Sequence, residues 1–184
     1  LTAYARRYPD VEVSLTVTNR LVDLLEEGID LAFRTHGGPL PSRDDLVARR
    51  ICQVAVGAYA SPAYLSQHGA PKGLSELSKH PVVAHRVDRR ILENAVPQII
   101  VDDYRPLAAL LVAGAGVGLL PDFVAGPLVT EGRLVPVLAD GPGAAATLSL
   151  VWLRSRHLSP RVRAFIDLAV AHAETGRLSW QGSS

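Results

Sequence analysis

The chain has 184 residues, 48% of them hydrophobic, and its 19 basic and 18 acidic side chains leave a formal net charge of +1. That supplies a sizeable core for one domain or two lobes of about 90 residues. It excludes a disordered tail and a basic strip able to hold nucleic acid by itself. No apolar run approaches the roughly 20 residues of a membrane helix, and a single cysteine, Cys52, excludes a disulfide framework or a cysteine-rich zinc site.

The chain opens Leu1-Thr2-Ala3-Tyr4 and holds no methionine, so it reads as a fragment or a processed chain. The opening lacks the apolar segment of a signal peptide. Leu1, Tyr4, Ala5 and Tyr8 fall on one helical face, and Pro9-Asp10 ends that helix. Residues 11–17 alternate strictly and predict a strand. Thr18 or Asn19 caps a predicted helix over 20–27, with Gly28 as its terminator. Residues 29–33 predict a second strand, ending at Arg34 and parallel to the first.

Residues 46–60 predict one or two strands, and Ser61-Pro62 starts a short helix. A helical turn over 74–77 and a strand over 82–84 follow. Residues 86–94 have no clear period and read as a loop. A strand over 98–101 leads into a helix capped by Asp102 or Asp103, with Pro106 in its first turn. Residues 117–120 predict a buried strand and 122–131 a helix broken near Gly126-Pro127. Strands over 134–138 and 148–153 flank the flexible Gly141-Pro142-Gly143, and Ser159-Pro160 starts the last helix. Strands and helices alternate, which defines an α/β class.

Several ordered segments resemble one family. They are Tyr8-Pro9-Asp10-Val11, Leu21-Val22-Asp23-Leu24-Leu25-Glu26-Glu27-Gly28-Ile29-Asp30-Leu31-Ala32-Phe33-Arg34 and Ala60-Ser61-Pro62-Ala63-Tyr64-Leu65. Further along come Ala113-Gly114-Ala115-Gly116-Val117-Gly118-Leu119-Leu120-Pro121, Gly132-Arg133-Leu134-Val135-Pro136 and Leu158-Ser159-Pro160-Arg161-Val162. The set resembles the effector-binding domain of LysR-type transcriptional regulators. The resemblance implies a two-lobed α/β fold of the type 2 periplasmic-binding-protein kind, with a small-molecule effector in an interlobe cleft. Lobe I takes 1–59 plus 147–184 and lobe II takes 60–146. It also implies a cytoplasmic protein that forms a homodimer or homotetramer and has neither a cofactor nor a membrane partner. DNA would be bound only through an N-terminal winged helix-turn-helix absent from this chain. Helix 20–27 and strand 11–17 are then the expected pairing surfaces. The alternative is an extracytoplasmic solute-binding protein of the same fold.

In open α/β sheets ligands bind beyond the carboxyl ends of the strands. That rule selects Thr18, Asn19, Arg34, Thr35 and His36 in the first lobe. Arg34 offers a fixed cation with a bidentate fork, and a helix N-terminus beside it suits a carboxylate. Alternatively, Asn19 is only a cap and Arg34 pairs with Asp30 or Asp44. Asp102, Asp103 and Tyr104 form the corresponding strand end of the second lobe. One Asp caps its helix, and the other is left for an effector hydroxyl or amine. Ser61, placed at the lobe crossover, adds a hydrogen bond, and Pro121 with Phe123 an apolar wall. The glycines at 114, 116 and 118 follow a helix and precede a strand, the wrong order for a dinucleotide fingerprint. No nucleophile elbow is present and the six His lack metal spacing, so no catalytic or metal site is expected.

Overall fold

The computed structural model describes residues 1–18, 20–38, 45–90, 95–138, 145–154 and 157–174. The chain divides into two compact units. One takes Leu1–Gln53 and the strand and helix that follow Thr147, and the other takes Val54–Ala146.

In the first unit, helix α1 covers Thr2–Arg7, strand β1 covers Ala32–His36 and the 15-residue strand β2 covers Leu46–Ala60. β2 continues into the second unit, where helix α2 spans Pro62–His68. A 3-10 turn over Leu74–Lys79, strand β3 over Val82–His85 and a 3-10 turn over Arg86–Arg90 come next. Strand β4 (Ile99–Val101), helix α3 (Tyr104–Val112), strand β5 (Val117–Pro121), helix α4 (Asp122–Thr130) and strand β6 (Val135–Pro136) complete that unit. Strand β7 (Ala145–Leu153) and helix α5 (Pro160–Glu174) return to the first.

The second unit's sheet has the order β2-β5-β3-β4, with β6 also on β2. β3 runs parallel to both β4 and β5, and β2 runs antiparallel to β5. Every residue of β3 and β5 is buried, as expected for parallel strands covered on both faces. Val82, Ala84, Val117 and Leu119 pack with Tyr64 and Leu77 on one face. Val83 and Leu120 pack with Leu107, Leu111 and Ala125 of α3 and α4 on the other.

Two glycines bring the α3–β5 turn and its strand this close. A Cβ on Gly116 would lie 2.1 Å from the Pro81 carbonyl oxygen, at φ +141. A Cβ on Gly118 would lie 2.6 Å from the Val83 oxygen and 3.2 Å from Leu107 and Leu111.

In the first unit β1 pairs with β7 antiparallel, and β7 lies next to β2. Leu24, Val151 and Leu153 form the core of one face. On the other, Phe165 of α5 meets Tyr4 and Phe33 edge-on at 5.1 and 6.2 Å.

Four expectations are corrected here. Residues 11–17 form no strand and join no sheet, although apolar and polar residues alternate along them. Alternation makes a strand only where a neighbour takes up the backbone groups, and no described strand lies beside them. The helix expected over 20–27 is a single turn over 24–28. Asp23 accepts the Leu25 and Glu26 N–H groups at 2.9 and 3.2 Å, and Arg20 grips Glu27 bidentately at 2.7 and 2.6 Å. These local bonds close a turn in place of a helical ladder. The parallel strand-helix-strand unit is therefore absent, and β1 finds its partner in β7 instead. Lastly, α4 runs unbroken through Pro127. Proline removes one ladder bond, while the Glu131 N–H still reaches the Pro127 carbonyl at 3.0 Å.

The remaining elements differ from expectation mainly at their ends. Residues 86–90 form a 3-10 turn in place of the expected loop, and β6 is only two residues long. Gly141-Pro142-Gly143 lies outside the described residues.

Candidate functional site

The second unit presents three strand ends at one edge. His85 stands opposite Val101, and the β3–β5 register sets Val82 beside Val117 and Val83 beside Gly118. The chain therefore leaves β3, β4 and β5 at the same edge, into Arg86–Arg90, Asp102–Tyr104 and Asp122–Phe123. This is the strand-end position at which α/β sheets bind ligands.

Asp103 caps α3, accepting the Arg105 N–H at 2.8 Å. The Arg105 guanidinium pairs with the same carboxylate at 2.7 Å. These bonds, the side-chain one first, hold the Asp103 carboxyl down at about 2. Tyr104 donates its hydroxyl to Asp88 Oδ2 at 2.9 Å, and its ring stacks on His85 at 4.1 Å and 15°. Burial, then the Asp88 charge, pushes the Tyr104 phenol up. Burial also raises Asp88, and the Tyr104 hydrogen bond partly offsets it. His85 and Asp88 are 5% and 6% exposed, which makes them two of the few buried polar residues described.

Pro121 closes β5 as a buried residue, and Phe123 is 51% exposed. Between them Asp122 accepts the Phe123 N–H at 2.7 Å, and burial raises its carboxyl. Asp102 is exposed.

Ser61 is not brought to this edge. The register sets Val56 beside Pro121 and Tyr59 beside Gly118, so Ser61 follows β2 out at the opposite edge. It is 3% exposed and caps α2, accepting the Tyr64 N–H at 3.3 Å. β2 passes from one unit to the other at Gln53–Val54, so Ser61 does not stand at the crossover assumed for it.

In the first unit Arg34 and His36 share a face of β1, with Ser149 of β7 directly opposite Arg34. Arg34 is half-buried and donates to the Val22 carbonyl at 3.1 Å. His36 Nδ1 meets the Gly38 carbonyl, which can only accept, so Nδ1 carries the proton. Nε2 is hydrogen-bonded to the Ser149 hydroxyl at 2.9 Å. Both nitrogens of His36 are thus engaged by the protein. Thr35 is exposed, on the other face. The Thr18 hydroxyl accepts the Arg20 N–H at 3.3 Å, and Asn19 lies outside the described residues. Among the described strands β1 has no parallel neighbour, so the shared edge expected to group Thr18 with Arg34 is not formed by pairing.

Sequence reasoning missed His85, Asp88, Asp122 and Ser149. His85 ends a strand, so the strand-end rule applied to β3 would have found it. Ser149 is a hydroxyl between Leu148 and Leu150 in an apolar run, a weaker signal. Asp88 lies in a segment with no period, and nothing there marks it. Among the described residues no three His, Cys, Asp or Glu come together to hold a metal ion.

Comparison with known proteins adds the context. The family model described as the LysR substrate binding domain matches residues 1–174. An HTH-type transcriptional repressor of Pseudomonas aeruginosa is 33% identical over 178 residues, 89% of this chain and 55% of that protein. The HTH-type transcriptional regulator CrgA of Neisseria meningitidis serogroup C is 27% identical over 92% of this chain and 60% of its own. The chain thus spans somewhat over half the length of these curated relatives. The solved CrgA regulatory domain superposes with a TM-score of 0.83 at 24% identity, covering 94% of this chain and 89% of that one. These matches bear out the α/β, two-lobed periplasmic-binding-protein-like fold.

Proposed function

The chain belongs to the LysR substrate-binding domain family, and from that premise we propose that it senses a small-molecule effector and oligomerises on behalf of a cytoplasmic, DNA-binding transcriptional regulator. The observation that carries the sensing half is the second unit's edge, where three adjacent strands end together beside polar groups. Tyr104, Asp102 and Asp103 stand there, with Pro121 and Phe123 at the β5 end. The first unit contributes Arg34, with Thr18, Asn19, Thr35 and His36 as further contacts. Arg34 is the group suited to an effector carboxylate, because its planar fork keeps several donors when one is engaged by Val22.

The module is not catalytic in this reading. An effector acts by binding one arrangement of the protein better than another, and it shifts the population only by that difference. Binding of DNA is assigned to a separate helix-turn-helix domain, in keeping with the names of the relatives. Oligomerisation is assigned to exposed apolar side chains. Leu15, Val17, Leu21 and Leu25 are more than 60% exposed in the first unit, and Ile99 and Ile100 stand on the edge strand β4 of the second. Exposed apolar tracts of this kind mark association surfaces.

A thermal-shift screen of the chain against small carboxylates tests the sensing half. The expected result is stabilisation by at least one compound, lost in Arg34→Gln. Stabilisation that survives that substitution removes Arg34 from the site.

A further inference from the structure

One polar group at the second unit's edge is left unused by the protein. His85 is the last residue of β3 and is 5% exposed. Its ring stacks on Tyr104, which is held in turn by its hydroxyl on Asp88 at 2.9 Å. His85 Nδ1 accepts the Val87 N–H at 3.3 Å. A backbone N–H only donates, so Nδ1 presents its lone pair and the ring hydrogen sits on Nε2. No described residue accepts that hydrogen. Nor is it sealed in, because among the described residues no fully buried side-chain nitrogen or oxygen lacks a partner. The Nε2–H therefore opens to the surface at the strand end, on a ring fixed by stacking and by its other nitrogen. A donor held still in advance loses no rotamer freedom when it binds. Guanidinium groups add to it. Arg105 places Nε and Nη2 on Asp103, which leaves its Nη1 hydrogens, and Arg86 is exposed.

We propose that His85 is a specificity-determining contact of this edge, whose Nε2–H reads an acceptor oxygen on a trigonal carbon of the effector, a carbonyl or a carboxylate. The inference rests on the reading that the chain senses a small molecule, and it needs the second unit alone. A ligand that presents only hydrogens there sets donor against donor. Sites built around a hydrogen bond reject such a mismatch strongly. Tyr104 and Asp88 act through His85, by holding its ring in place.

The test is nuclear magnetic resonance of the whole chain carrying ¹⁵N in its histidines, with the His85 signals identified by their loss in His85→Gln. Long-range ¹H–¹⁵N spectra first read the tautomer, and hydrogen on Nε2 with a bare Nδ1 is expected. Isobutyrate, isobutyramide and isobutyramidinium are then titrated in. They share one shape but present acceptors only, an acceptor with a donor, and donors only. The His85 Nε2 resonance should move with the first two and stay with the third. The larger response of the two tells carboxylate from carbonyl. Binding to variants is followed on the Val87 and Tyr104 amides. His85→Phe keeps a ring on Tyr104 but has no donor, and should bind the acceptor probes about five- to tenfold more weakly. His85→Gln retains a side-chain N–H and should bind close to the wild type.

Hydrogen on Nδ1, an equal response to all three probes, or unchanged binding in His85→Phe overturns the inference. The tautomer and the probe responses are read on the unaltered chain, so poor folding of His85→Phe leaves the test intact. A silent His85 in a chain that small carboxylates still stabilise through Arg34 overturns the inference and leaves the sensing reading standing. A chain that answers to no small molecule in either experiment overturns both.

Discussion

At the scale of single residues, Asp103 and Asp88 of the second unit's edge respond oppositely to pH. Arg105 holds Asp103 at about 2, below the ordinary aspartate value. A depressed folded-state value contributes stability that is whole above the unfolded pKa and is lost as pH falls toward 2. The melting temperature of Asp103→Asn should therefore fall less steeply with acid than that of the wild type, by a small margin because the pair is exposed. Asp88 is raised by burial, so its contribution is present at low pH and lost as pH rises through its folded value. Asp88→Asn should flatten that part of the stability curve, read by urea unfolding at a series of pH values. Gly116 gives the sharpest steric prediction. Ala there drives a Cβ into the Pro81 carbonyl, and a cost of about 1–3 kcal/mol in urea unfolding is expected.

At the scale of elements, caps decide where helices begin. Ser61 and Ser159 each accept a backbone N–H of the first turn at 3.3 Å, at the starts of α2 and α5. Ser159→Ala should cost about 1 kcal/mol of the unfolding free energy. The same local chemistry explains the segment over 20–28, where an Asp side chain and an Arg–Glu clasp make a turn out of a sequence with helical spacing. The strand ends matter more than the helices for function. Parallel pairing of β3 with β4 and β5 brings the neighbourhoods of His85, Asp103 and Pro121 to one edge although they are far apart in sequence.

At the scale of the whole molecule, each unit has a core of its own, and each exposes apolar side chains outside it. Sedimentation of the chain should show association. Leu25→Glu and Ile100→Glu, made separately, should each shift it toward monomer without changing the melting profile of either core. Loss of association in neither variant would remove these tracts as the pairing surfaces.

What the sequence by itself determined is the α/β class, the family, and the position of nearly every element from β2 to α5. The family rests on the ordered set of motifs, and the class and elements rest on local periodicity, caps and prolines, which a chain carries wherever it folds. The ends of β4 and β5 were legible for the same reason, and with them Asp103, Tyr104 and Pro121. Only the tertiary structure decided the rest. Residues 11–17 and 20–27 have the right periods, yet a strand needs a neighbour and a helix needs its ladder to win over side-chain bonds. The burial of Asp88 and its bond to Tyr104 join residues 16 positions apart, and Ser149 reaches His36 across 113. No spacing rule encodes such pairs, because sheet register and packing, not sequence distance, bring them together.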